Sequence, residues 1–346
     1  MKFVGIQWSM RFVILIVKNQ FMKMNAHLGA LVADALAMPV HWYYDREALL
    51  AEYGPVDRFL APHAKHSGSI LWRSEYSPIN AKGDILHDQA QYWGREGIHY
   101  HQFLAAGENT VNFKLADLLF RQITSQGGYD PDRWLETYID FMLTPGSHRD
   151  TYLEEYHRGF FTRYAQGKKP RKCGIRDEHI GGLAHVPTLF AALPEMPVGE
   201  LRAIVKEHVS LTHLHEDVLR AADCLVCLLH HLSEGLPLRE ALRDQAGDWF
   251  SSKRAEGWSS EEDTVVIGKR LSPACYINES FPASLYLAWK YHQSFDLGII
   301  ANAMVGGDSC HRGAVVGALL GLSNGVPDRW RHGLQCYQPD RSGEPA

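Results

Sequence analysis

The chain has 346 residues, 45% hydrophobic and 22% charged, an ordinary balance for a globular protein able to bury a sizeable core. With 35 basic and 40 acidic residues the net charge is −5, which advertises no basic face for nucleic acid. Six cysteines at irregular spacing exclude a disulfide scaffold in a chain this long.

The amino terminus carries one apolar run, Phe12 to Val17, with Lys2 and Arg11 before it. The run is too short to span a membrane, and no small-residue cleavage pattern follows it. Residues 1–23 are therefore expected to be a non-core extension. The folded domain is expected over 24–330, with a C-terminal tail over 331–346. A cytoplasmic, monomeric protein without membrane or nucleic-acid partners is the expectation.

From Asn25 the pattern turns helical, with Leu28, Leu31, Val32, Ala35 and Leu36 on one face. Gly29, Ala33 and Ala37 form a small-residue ridge at i+4 spacing, and Met38-Pro39 closes the helix. Asp34 sits inside this apolar segment and needs a polar partner. It is read either as a site residue or as a cap for a neighbouring helix. Residues 54–106 read as a long loop-rich connection, dense in Gly, His and aromatic residues. Its rings are expected either to stack on a ligand or to anchor the segment.

Gly107-Glu108-Asn109-Thr110 then opens a helix whose apolar face is Val111, Leu115, Leu118, Leu119 and Ile123. Asn109 is a candidate N-cap there. Gly127-Gly128-Tyr129-Asp130-Pro131 ends that helix and starts the next, with Asp130 as N-cap and Pro131 at the first helical position. Further helices are expected at 152–165, 187–193, 199–210, 216–233, 238–249, 282–292 and 295–304. Cys224-x-x-Cys227, followed by His230 and His231, lies in an apolar helix without a second ligand pair. Structural cysteines are expected there rather than zinc. Alternating β-branched runs are scarce, so the fold class is all-α in one domain.

The richest stretch is near the end: Gly306-Gly307-Asp308-Ser309-Cys310-His311, then a helix with Gly313, Gly317 and Gly321 on one ridge. Each mid-helix glycine costs about 1 kcal/mol against alanine, so another helix must pack tightly on this ridge. Asp308 is placed to cap the helix. Cys310, at a helix start, is expected to have a lowered pKa. It is a candidate nucleophile, with His41 as base.

This stretch resembles the carboxy-terminal motif of the ADP-ribosylglycohydrolase family, Gly-Gly-Asp-Thr-Asp-Thr followed by a small-residue helix. The segment Ala33-Asp34-Ala35-Leu36-Ala37-Met38-Pro39 is similar to that family's opening Gly-Asp-Ala-Leu-Gly-x-Pro, and residues 127–131 to its Gly-x-Phe-Asp-Pro turn. The run 107–110 stands where the family has Thr-Asp-Asp-Thr, with only Thr110 identical. His41 stands where several members carry a functional Glu. Gly181-Gly182 stands where a Gly-Asn-Gly loop holds phosphate or ribose, and Thr212-His213 matches a Thr-His pair before the family's central helix.

The resemblance implies an orthogonal all-α bundle and hydrolysis of a ribosyl N- or O-glycosidic bond. The implied substrate is ADP-ribose-like, free or protein-linked. Glu108, Asp308 and His311 would be catalytic. Asp34, His41, Gly181, Gly182, Gly306 and Gly307 would bind substrate. It also implies two magnesium ions, whose ligand positions fall here on Glu108, Asn109, Asp308, Cys310 and His311. Cys310 and His311 suit a transition metal better than magnesium, so the pair of magnesium ions is expected to be altered, to one metal or none. A binding protein without turnover and a cysteine-dependent transferase are the alternatives.

Overall fold

The computed structural model describes the backbone of residues 3–337 and the side chains of residues 20–337. The expected extension over 1–23 lies mostly outside the described side chains, and residues 338–346 of the expected tail lie outside altogether. Among the described residues fifteen helices, some of a single turn, follow in order: α1 Phe3–Ala37, α2 Arg46–Tyr53, α3 Val111–Gln126, α4 Pro131–Leu143, α5 Glu155–Ala165, α6 Val186–Ala192, α7 Val198–Ser210 and α8 Glu216–Ser233. Then come α9 Leu238–Gln245, α10 Ser252–Trp258, α11 Asp263–Val265, α12 Ile277–Lys290, α13 Phe295–Met304, α14 Ser309–Asn324 and α15 Asp328–Arg331. Among the described residues there are isolated β-bridges but no sheet. No helix of the described residues is long and apolar enough to cross a membrane.

The core is built on α14, in which every residue from Ser309 to Leu322 is buried. Helix α1 runs along it, and α8, α12 and α13 pack against its other sides. The two small-residue ridges are the contact. A methyl group at Gly317 would fall on the carbonyl oxygen of Gly29 and 2.8 Å from the Ala33 Cβ, and one at Gly321 on the carbonyl of Asn25. The glycines pay a propensity cost so that two backbones can touch.

Local signals set most helix ends. Asp130 accepts from the N–H groups of Asp132 and Arg133, and Asp45, Ser251 and Ser294 cap α2, α10 and α13 in the same manner. Some expected boundaries moved by more than one residue. The helix read from 152 starts at Glu155. The helix read as 238–249 breaks after Gln245, where Gly247 turns with φ +54°. The helix read from Pro282 begins at Ile277, with the proline inside it. The connection 54–106 holds short 3₁₀ turns and is tied inward by its rings. The Trp93 Nε1–H donates to the Thr151 carbonyl at 2.7 Å, and His99 Nε2 lies 3.0 Å from the Pro39 carbonyl oxygen. Beyond residue 330, Leu334 is buried and the Gln335 N–H donates to the Gly107 carbonyl.

Candidate functional site

Two loops meet at the amino end of α14. Gly306 and Gly307 both take the left-handed conformation, at φ +67° and +66°. A side chain at Gly306 would strike the Tyr43 carbonyl, and one at Gly307 the Pro273 carbonyl. Across this gap the Trp42 N–H donates to the Gly307 carbonyl at 2.8 Å, and the Gly307 N–H to the Tyr43 carbonyl at 2.6 Å. Trp42 pays for the fit with φ +63°, a strained value for a bulky residue. Its ring stacks on His41 at 3.8 Å. The loop after α1 is thereby pinned so that His41 faces Asp308.

Asp308 is the centre. It is fully buried, caps α14 through the His311 N–H, and lies with Oδ1 2.9 Å from His41 Nε2 and 2.8 Å from His311 Nδ1. Burial alone would raise its pKa; the adjoining histidines and their hydrogen bonds override that and hold the carboxyl well below the usual range. Its second oxygen has no hydrogen-bond partner among the described residues, and His179 Nε2 stands 3.4 Å from it. His179 uses its other nitrogen to accept the Gly181 N–H, so its proton sits on the side facing Asp308.

Behind His41 the contacts continue inward. His41 Nδ1 lies 2.8 Å from His101 Nε2, and His101 Nδ1 lies 2.7 Å from Asp150 Oδ1. Burial lowers the His41 pKa to about 3, keeping the ring neutral. Burial would raise the Asp150 pKa, but its hydrogen bond to His101 outweighs that and keeps it below the ordinary carboxylate value. Behind His311 lies Asn112. Its oxygen accepts from the Tyr156 hydroxyl and lies 2.8 Å from His157 Nε2, and its amide nitrogen donates to Glu154 at 3.2 Å and lies 3.0 Å from His311 Nε2. Burial would lower the His311 pKa; the Asp308 carboxylate overrides it and raises it.

The residues anticipated from sequence do not all come together. His41, Asp308 and His311 come together, with Gly306 and Gly307 forming the turn that aligns them. Asp34 and Asn109 meet elsewhere. Asp34 accepts from the Thr110 N–H at 2.9 Å, the Thr110 hydroxyl at 2.8 Å and the Asn109 amide at 2.9 Å. Thus Asp34 caps α3 from the side, and Thr110, not Asn109, is the N-cap residue. Glu108 is taken up by Lys114 at 2.7 Å and Arg149 at 2.6 Å, with the Ala105 N–H as a third donor. Burial opposes ionisation of Glu108, but these donors lower its pKa. Gly181 and Gly182 pack against Tyr156, Val218 and His213, and line a chamber of about 30 Å³ with Asn112, His185 and His208.

Cys310 corrects an expectation. Its thiol is buried, points at the Asp34 carbonyl oxygen 3.7 Å away, and burial pushes its pKa well above the usual thiol value. The helix start does not activate it, because Asp34 and Asp308 also act against a thiolate. Sequence reasoning passed over Asp150, Asn112, Glu154 and His179, and took His101 only as one of the rings of the connection 54–106. The one available signal was the abundance of histidine, 19 in all.

The profile of the ADP-ribosylglycohydrolase family matches residues 24–342. The chain belongs to this family. Among solved structures it is similar to a chain of an ADP-ribosylglycohydrolase-related protein complex, with a TM-score of 0.56 and 21% identity over 92% of this chain and 93% of that one. At that identity the likeness speaks for the fold alone. No curated protein matches the sequence.

The donors at the site do not fit a pair of magnesium ions, which want hard oxygen ligands from both motifs. The first motif sends no carboxylate to the centre, since Glu108 is spent on Lys114 and Arg149. Two other groups can hold a divalent ion: His41, Asp308 and His311, or His179, Cys275 and Asp308, the ligand atoms within each lying within 4.8 Å of one another.

Proposed function

We propose that this family member hydrolyses a ribosyl N- or O-glycosidic bond of an ADP-ribose-like group, free or attached to a protein. The observation that supports it most is the Asp308 carboxylate, ionised in the core with one oxygen unpartnered. Cleavage of a glycosidic bond passes through an oxocarbenium-like state, and a fixed negative charge beside it stabilises that state. A carboxyl held so far below its usual range is a poor proton acceptor. Asp308 is therefore assigned to charge stabilisation and not to general base work. His179 is the donor beside the unpartnered oxygen, and with Cys275 half-buried next to it this flank is the less covered side of Asp308. Substrate approach is assigned to that flank.

The Glu108 ion pairs favour a second reading, a protein that binds ADP-ribose without turnover, because they remove a candidate for activating water. One experiment separates the two. Release of ADP-ribose from ADP-ribosylated arginine and serine peptides is measured beside the thermal shift given by ADP-ribose. The hydrolase reading expects release that Asp308→Asn abolishes while the thermal shift survives. A shift without release supports the binding reading, and the absence of both overturns the two together.

A further inference from the structure

Arg312 stands in the first turn of α14, one turn beyond Asp308, and its side chain is fully buried. An arginine keeps its charge in proteins, so each N–H it buries needs an acceptor. The Nε–H donates to Asn302 Oδ1 at 2.8 Å. One Nη donates to the Asn302 carbonyl at 2.9 Å and to the Gly306 carbonyl at 2.7 Å. The other Nη has no hydrogen-bond partner among the described residues. Asn302 in turn donates its side-chain amide to the Ser309 carbonyl at 2.8 Å. The pair thus grips the chain on both sides of Asp308, at Gly306 before it and at Ser309 after it. The grip falls where helical bonding stops. The Gly306 N–H, which would continue α13 by donating to Asn302, donates to the Ala303 carbonyl at 3.1 Å. Arg312 takes up the Asn302 carbonyl in its place.

Stability alone does not call for an arginine here. A buried guanidinium with an orphaned nitrogen is costly, and an apolar side chain of similar volume commonly fills such a place with equal or greater stability. What the arginine supplies is direction. Its planar fork reaches an amide oxygen and two carbonyls at once, which a lysine does not reproduce. The chain it holds decides where Asp308 points. Gly306 and Gly307 are both left-handed, and glycine has more backbone freedom to lose than any other residue. Trp42 and Tyr43 pin Gly307, and Arg312 pins the Gly306 carbonyl. We propose that Arg312, acting with Asn302, is a positioning residue for the glycosidic hydrolysis described above, clamping Gly306 and Ser309 so that the unpartnered Asp308 oxygen stands where charge develops on the sugar. The proposal rests on that reading. It places an effect on rate, not on affinity, in a residue buried away from substrate.

The test uses the full chain with ADP-ribosylated arginine and serine peptides. Arg312→Met removes the fork and keeps most of the volume. Its kcat for ADP-ribose release is expected to fall about 100-fold, the loss that a displacement of about 1 Å produces. The dissociation constant of ADP-ribose and the Tm are expected to hold. Arg312→Lys keeps a charge without the fork and is expected to lose rate likewise. Asn302→Ala should match Arg312→Met, and the double variant should be no slower than either, because the two residues act as one unit. Amide exchange read by mass spectrometry gives a measure independent of turnover. In Arg312→Met, exchange is expected to quicken at residues 305–309 and to stay slow from Gly313 to Leu322. A merely structural role would quicken exchange along the whole of α14 and lower Tm together with rate. If Arg312→Met does not fold, Arg312→Lys and Asn302→Ala carry the same comparison. Unchanged kcat in a folded variant, or exchange that quickens all along α14, overturns the positioning role and leaves the hydrolase reading standing. Absence of release from the unaltered chain overturns that reading and this role with it, so the unaltered chain tells the two failures apart.

Discussion

Gly317→Ala tests the central contact of the fold. In an isolated helix the change would stabilise, by about 1 kcal/mol, because alanine loses less backbone freedom than glycine. Here the added methyl falls on the Gly29 carbonyl, and the Ala33 Cβ lies 2.8 Å from it. Neither obstacle is the far end of a flexible side chain, so α1 and α14 must move apart as rigid bodies. Overpacking of a well-filled core costs about 1–3 kcal/mol, and a backbone-on-backbone clash belongs at the upper end. The net is a loss of about 2 kcal/mol. At roughly 2–4 °C per kcal/mol for a chain of a few hundred residues, Tm falls by about 4–8 °C. Gly257 supplies the contrast: it is exposed in α10, and nothing lies within 4 Å of an added methyl. Gly257→Ala should hold or raise Tm by differential scanning calorimetry. A Gly317→Ala protein that melts at or above the unaltered chain would refute the argument that the ridge exists for backbone approach.

Two further outcomes follow from buried polar groups. Asp34→Ala leaves the Thr110 N–H and hydroxyl without their acceptor, and the loss of a cap with a buried unpaired donor costs about 2–4 kcal/mol in chemical denaturation; a change under about 0.5 kcal/mol would deny Asp34 its capping role. His27 is buried against Phe120, and burial first, with His185 and Arg121 adding to it, lowers its pKa to about 3. The unfolded chain takes up that proton near pH 6.5, so the contribution is full above pH 6.5 and is lost as pH falls toward 3, at about 1.4 kcal/mol per pH unit. His27→Phe should flatten the acid limb of stability between pH 6.5 and 4 by that slope, and an unchanged limb would show that other groups govern it.

The helices were legible because their signals are local. Asp130-Pro131 and the apolar faces of α3 and α4 are read from neighbouring residues, and a glycine ridge in a soluble helix announces a close partner before the partner is known. The misplaced starts have a common cause. A proline normally marks the first helical position, but α12 accepts Pro282 inside the helix, where tertiary packing on α14 outweighs one lost hydrogen bond. Asn109 failed as a cap for a related reason. A side chain from another helix, Asp34, already satisfies the Thr110 N–H, and no local pattern reports that.

The site was legible only where a motif carried it. Asp308 stands in a motif; His101 and Asp150 stand in loops, joined to it by contacts across 49 and 60 positions of sequence that have no periodicity. The departures from the family pattern nevertheless form a set. His41 stands where several members carry a glutamate and His311 where the family motif has a threonine, and both turn a ring nitrogen to the same oxygen of Asp308. Cys310 stands for an aspartate and turns away, to a backbone carbonyl. Oxygen donors have thus been lost at each of these positions, and nitrogen has been gained at the two that face the centre. The first motif follows the same logic, since Glu108 is neutralised by Lys114 and Arg149 outside the cluster. Unrelated losses would leave a buried aspartate without partners, at a cost of several kcal/mol. What stands there is an aspartate approached by three histidines, one of them held in register by His101 and Asp150, and that arrangement requires the substitutions to have been accommodated together.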